Sequence, residues 1–159
     1  HATVCKMGEH GGIDRHDRTR DALARICREA GFTTRTEEKN IIEGTDRRPA
    51  DVYVQNWALD KSLCIDVAIV DGKVANGIKS KENDKRRLNL VDCENAGYGF
   101  GPFVLDSYGR MGLSAHRLLN KLSIAYAERH EIEVALAKGR IRGIVMQVMI
   151  ARRTREGNC

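Results

Sequence analysis

Leu63-Cys64-Ile65-Asp66-Val67-Ala68-Ile69-Val70 is the stretch on which the fold turns. Seven of its eight residues are apolar and four are β-branched, and polar turns stand on both sides, at Leu59-Asp60-Lys61 and at Asp71-Gly72. A short apolar run so bounded predicts a strand. Just upstream, Asp51-Val52-Tyr53-Val54-Gln55 predicts its hairpin partner within a mixed sheet. Further back, Phe32–Glu38 predicts a threonine-rich strand, and 39–48 a polar turn region containing Gly44. Before these, Ala22, Leu23, Ile26, Cys27 and Ala30 recur at helical spacing, with Asp17 placed to cap the helix and Gly31 to stop it. Downstream, the polar segment Lys79–Arg87 passes into a helical pattern through Leu88, Val91 and Cys93 that ends at Gly97. A strand at Phe103-Val104-Leu105 and two helices, Ser114–His130 and Gly139–Arg153, complete an α/β layer arrangement.

Asp66 is the single carboxylate in that apolar run, on the face it shares with Cys64, Ala68 and Val70. Burial of an unpartnered carboxylate costs several kcal/mol or raises its pKa, so a cation, a hydrogen-bond network or a metal must compensate it. Asp51 opens the neighbouring strand, directly after Arg47-Arg48-Pro49-Ala50. Adjacent strands lie about 4.8 Å apart, which lets two such carboxylates converge on one ion. Oxygen ligands on a rigid sheet suit Mg²⁺ or Mn²⁺. An ion held there polarises a phosphate and acidifies an attacking water, and an ammonium nearby stabilises the developing charge. The other reading of the same residues is structural, an aspartate bonded to backbone amides or to an arginine, with Arg47 or Arg48 placed to pair Asp51.

The composition narrows the classes. A chain of 159 residues, 42% hydrophobic and 31% charged, predicts one compact domain. Lys+Arg exceed Asp+Glu by 27 to 22 and the pI is ≈ 9.1, which favours a polyanionic partner. The five cysteines, Cys5, Cys27, Cys64, Cys93 and Cys159, are scattered without a C-x-x-C pair, which argues for a reducing compartment and against a disulfide framework. No apolar run approaches the roughly 20 residues that cross a bilayer, so the expectation is an intracellular protein of nucleus or cytoplasm, or of an organelle, with no membrane partner. There is no Gly-rich phosphate loop and no nucleophile elbow, which leaves little for a small-molecule enzyme.

Several short segments carry a resemblance in the right order: His1-Ala2-Thr3-Val4-Cys5-Lys6, Gly12-Ile13-Asp14-Arg15-His16-Asp17, Arg20-Asp21-Ala22-Leu23, Arg47-Arg48-Pro49-Ala50-Asp51-Val52 and Ile65-Asp66-Val67. Together they resemble the C-terminal part of reverse-transcriptase-like proteins of non-LTR retrotransposons, from His1 to about Arg153. The resemblance implies a restriction-enzyme-like endonuclease domain of the PD-(D/E)XK superfamily. Its fold would be a three-layer core, a mixed central sheet flanked by helices, with two C-terminal helices. It would span 17–155, after a remnant of an upstream zinc knuckle or linker at 1–16. Asp51 and Asp66 match the family's metal-binding acids. The usual lysine two residues after the second acid is absent, since Ala68 stands there. Relatives of this branch supply it from the next helix, where Lys79, Lys81 and Lys85 are candidates and Lys85 is favoured. The family's tyrosine after that lysine is replaced by Leu88 or Asn89. Asp21 or Glu29 is placed to give a third carboxylate, Glu29 equally a solvated helix residue. His1 and Cys5 resemble the last two ligands of the zinc knuckle, and two ligands do not make a zinc site within this chain.

The expected nucleic-acid contacts are His16, Lys79, Lys81, Arg86, Arg87, Arg152 and Arg153, with Arg140, Arg142 and Arg155 adding basic surface. His16 has a second reading, packing against the first turn of its helix, and Trp57 either stacks on a base or anchors the turn between strands. Two functions follow. One is a divalent-metal-dependent DNA endonuclease with Asp51, Asp66 and Lys85 as its catalytic residues. The other is a catalytically inactive domain of the same fold, a structural or RNA-binding component of a ribonucleoprotein. Either admits a homodimer or a larger assembly.

Overall fold

The computed structural model describes residues 10–151, with side chains from residue 14 onward. Helix α1 (His10–Glu29) leads into β1 (Thr34–Thr36), β2 (Val52–Ala58) and β3 (Lys61–Val70). Helix α2 (Gly77–Asn95), strand β4 (Gly99–Asp106) and helices α3 (Leu113–His130) and α4 (Val134–Ile150) follow. The sheet order is β1-β2-β3-β4. β1/β2 and β2/β3 are antiparallel, β3/β4 is parallel with α2 as the crossover, and the sheet is therefore mixed.

Alternation along β3 explains the layers. Leu63, Ile65 and Val67 enter the main core with Phe103 and Leu105 of β4, Leu23 and Ile26 of α1, Leu118, Leu119 and Leu122 of α3, and Ile141 and Val145 of α4. Cys64 points the other way, into a smaller cluster with Ala50 and Cys93 of α2, bordered by Tyr53, Tyr98 and Phe100. One sheet face thus carries α1, α3 and α4, and the other carries α2. The ends of the first and third helices are tied together: the His130 Nε2 lies 2.8 Å from the Glu29 carbonyl, and Arg129 packs against Gly31, whose φ of +100° ends α1.

Several boundaries correct the sequence reading. α1 begins at His10, so Asp17 lies within the helix instead of capping it, and the helix runs unbroken through residues 16 and 17. β1 shrinks to three residues because Glu37 takes a positive φ of 50°. β2 runs on to Ala58 through a register irregularity that contains Asn56 at φ 51°. The hairpin closes on two residues, Leu59 and Asp60, both at positive φ as a type I′ turn requires. Leu59 is almost fully exposed there. β4 is longer than the Phe103–Leu105 core, and Pro102 is tolerated because β4 is an edge strand. α4 starts at Val134, which makes Gly139 an interior residue, and ends at Ile150. Arg152, Arg153 and Arg155 lie outside the described residues, as do His1, Cys5 and Cys159. Among the described residues no helix is long and apolar enough to cross a membrane.

Candidate functional site

The hairpin itself brings the two aspartates together. Asp51 stands one residue ahead of β2, where its amide donates to the Ile65 carbonyl (2.9 Å) and its Oδ2 accepts the amide of Val67 (2.7 Å). The peptide groups on either side of Asp66 are thus both held by Asp51. A side-chain oxygen has taken over an acceptor role between β2 and β3 where β2 begins, which pins the Asp51 carboxylate at the level of Asp66.

α1 and α2 approach this pair from opposite sides. His16 Nε2 donates to Asp51 Oδ2 (3.1 Å) and its Nδ1 faces Asp17 Oδ1 (3.1 Å). An imidazole between two carboxylates keeps both protons, and these bonds, Asp51 foremost, raise the His16 pKa to about 9 against the cost of burial. Arg20, one turn on, holds Asp17 (3.3 Å) and Glu37 (2.8 Å). From α2, Lys85 Nζ donates to Asp66 Oδ1 (2.8 Å) and Asn89 Nδ2 donates to Asp66 Oδ2 (3.0 Å). Arg47 reaches the same helix from the loop before β2. It donates to the Leu88 carbonyl (2.7 Å) and to Asn89 Oδ1 (3.4 Å), and pairs with Asp92. Arg47, Asn89 and Asp66 therefore form a chain that fixes which way the Asn89 amide points.

The two acids differ in electrostatics. Burial pushes the Asp66 carboxyl up, Lys85 pulls it down and the Asp51 charge pushes again, with the result near 6. Burial also pushes Asp51 up, but the His16 and Val67 donors outweigh it and hold the group below the usual carboxylate range. Two interacting acids driven apart in this way are a recurring mark of reactive centres. The donor set is oxygen only, the bonds from Val67 and His16 both fall on Oδ2 of Asp51, and burial foremost, with the Asp51 charge behind it, keeps Asp66 raised against the pull of Lys85. Those residues fit a hard divalent cation. Among the described residues no three His, Cys, Asp or Glu side chains gather as a metal cage, so an ion here would complete its shell with water and phosphate.

Other expected residues lie elsewhere. Asp21 pairs with Arg20 and Glu29 with Arg25, both away from the aspartate pair. Lys79 is exposed and Lys81 half-buried on α2. Arg86 and Arg87 engage Glu82 (4.0 Å) and Asp84 (3.4 Å) of their own helix. Arg47 serves α2 and not Asp51. Trp57 has Phe32 on its ring (centroids 5.1 Å apart) and the Lys121 ammonium 4.5 Å from its centroid, so it packs as an anchor at the end of β2. Sequence reasoning missed the ligand role of Asn89, although its spacing of four from Lys85 on a helix carried the signal. The bond from His16 to Asp51, across 35 residues, had no sequence signal.

No family model matches this chain, and no curated protein matches it.

Proposed function

We propose that the chain is a PD-(D/E)XK-like nuclease domain that hydrolyses phosphodiester bonds in DNA with Mg²⁺ or Mn²⁺. The observation that carries this reading is the convergence of Asp51 and Asp66 across one hairpin, with Lys85 from α2 on Asp66. Asp51 and Asp66 would hold the ion, which when bound polarises the scissile phosphate and acidifies its water. Lys85, donating 2.8 Å from Asp66, is positioned to share its ammonium with a phosphate oxygen as charge develops. Asn89 and Arg47 keep the Asp66 carboxylate in one orientation. His16 keeps Asp51 ionised. The motif resemblance supports the same reading.

One observation favours the non-catalytic alternative. His16 and Lys85 already compensate both carboxylates internally, as a structural site in a ribonucleoprotein domain would. Calorimetric titration with Mn²⁺, followed by plasmid nicking, separates the two. We expect wild-type protein to bind Mn²⁺ and nick DNA, and Asp51→Ala and Asp66→Ala each to lose both. A wild-type protein that takes up no Mn²⁺, or variants that nick as well as wild type, would overturn the nuclease assignment.

A further inference from the structure

Charge is segregated along this chain. Residues 10–112 hold 17 Lys+Arg and 17 Asp+Glu, whereas 113–150 hold six and three, and α4 contains Lys138, Arg140 and Arg142 with no acidic residue. Pairing follows the same division. The salt bridges among the described residues all lie between Asp14 and Arg110. On α2, the helix next to the aspartate pair, Lys85, Arg86 and Arg87 each have a carboxylate partner and Lys79 and Lys81 have none, while in the α3–α4 layer Arg117, Lys138, Arg140 and Arg142 meet no carboxylate among the described residues.

We propose that the α3–α4 layer, across the sheet from the aspartate pair, is an anchoring surface for the phosphate backbone of a nucleic acid. A groove of about 570 Å³ runs between α4, the end of α3 and α1, lined by Arg140, Gly143, Gln147, His130 and the paired Arg25 and Glu29 among others, and Arg142 lies outside it on the α3 side of the helix, 3.5 Å from His116. The exposed residues of α4 from Gly139 to Gln147 are Gly139, Arg140, Arg142, Gly143 and Gln147. A helix that lies on a lipid surface interleaves its cations with large apolar side chains. Here the exposed apolar residues Val134, Leu136 and Ile150 stand at the two ends of the helix, and the cations of its middle are interleaved with glycine, which lets a sugar–phosphate chain come close to the helix while Arg140 and Arg142 donate to it from either side. Such contacts carry no sequence preference and make binding salt-dependent. The nucleic acid is therefore held by one face of the sheet and presented to the other, a separation that stands whether or not the aspartate pair cleaves.

Fluorescence polarisation of the full chain with a labelled 30-base-pair duplex and a 30-nucleotide oligouridylate, in EDTA and over a salt series, tests this independently of metal binding. We expect Arg140→Gln/Arg142→Gln to weaken binding about tenfold at low salt and to flatten the log–log salt slope by about 0.7–0.9 per cation removed. Lys79→Gln/Arg87→Gln on α2, at the contacts the sequence favoured, removes the same charge and should weaken binding less than the α4 pair does. Gly143→Gln fills the groove at a position where an added Cβ meets nothing within 4 Å. It should weaken binding while raising the melting temperature, because glycine is a poor helix residue, so the loss cannot be charged to misfolding. The tighter of the two probes identifies duplex or single strand as the ligand. The proposal is overturned if neither probe binds, if the α2 variants lose more than the α4 variants, or if anionic phosphatidylserine vesicles bind and both oligonucleotides do not.

Discussion

Asp66 and His16 together set a pH profile that can be worked out in sign. The Asp66 pKa is raised to about 6 in the folded chain, so between the unfolded value near 4 and that value the folded state binds the extra proton, and stability falls as pH rises. The His16 pKa is raised to about 9. Its contribution is complete below the unfolded value near 6.5 and is lost as pH climbs through 9. The lowered Asp51 acts only in the acid limb, losing its contribution as pH falls below its ordinary range. Metal-free protein should therefore be most stable near pH 4 and lose on the order of 2 kcal/mol in each of the two higher windows, after discounting His16 for its partial exposure. Urea midpoints from pH 4 to 9.5 check this: Asp66→Asn should flatten the lower window and His16→Gln the upper one. Asp66 was legible in the sequence because one carboxylate in an apolar strand has to be compensated. His16 was ambiguous because which of two environments a helix residue meets is decided by packing, not by its neighbours in the chain.

Among the elements, α3 has the least expected start. Its N-cap is Gly112, which makes no side-chain cap, and the carboxylate is supplied by another helix: Glu82 of α2, buried, accepts the Ser114 amide at 3.1 Å. A Cβ on Gly112 would fall 2.1 Å from Glu82 Oε1, so glycine is required where that carboxylate enters. Replacing Glu82 by alanine should cost about 1–2 kcal/mol through loss of the cap and of charge at a helix N-terminus. Thermal melts would show it, and a change under about 0.3 kcal/mol would mean the amide finds water instead. The strands were read from their apolar runs, and the type and order of the helices from periodicity. Element ends were read less well. The Glu82 cap joins residues 32 positions apart, and the early start of α4 rests on the turn at Glu131, whose left-handed conformation (φ 54°) had no glycine to announce it.

For the molecule as a whole, the hairpin and the crossover close on different scales of chain length. Asp51 and Asp66 meet through a two-residue turn, whereas Lys85 and Asn89 arrive only when α2 docks and β4 pairs in parallel beside β3. Local hairpins form early and parallel pairings late, since loop closure has to precede their contacts. The refolding chain should then pass a barrier at which two carboxylates already confront each other and their ammonium has not yet come. Protonating one of them relieves that barrier, so stopped-flow refolding should be faster at pH 5 than at pH 7.5, with Asp66→Asn equally fast at both; a wild-type rate independent of pH would place α2 docking before hairpin closure. The same turn that assembles the centre is thus also the source of its kinetic frustration.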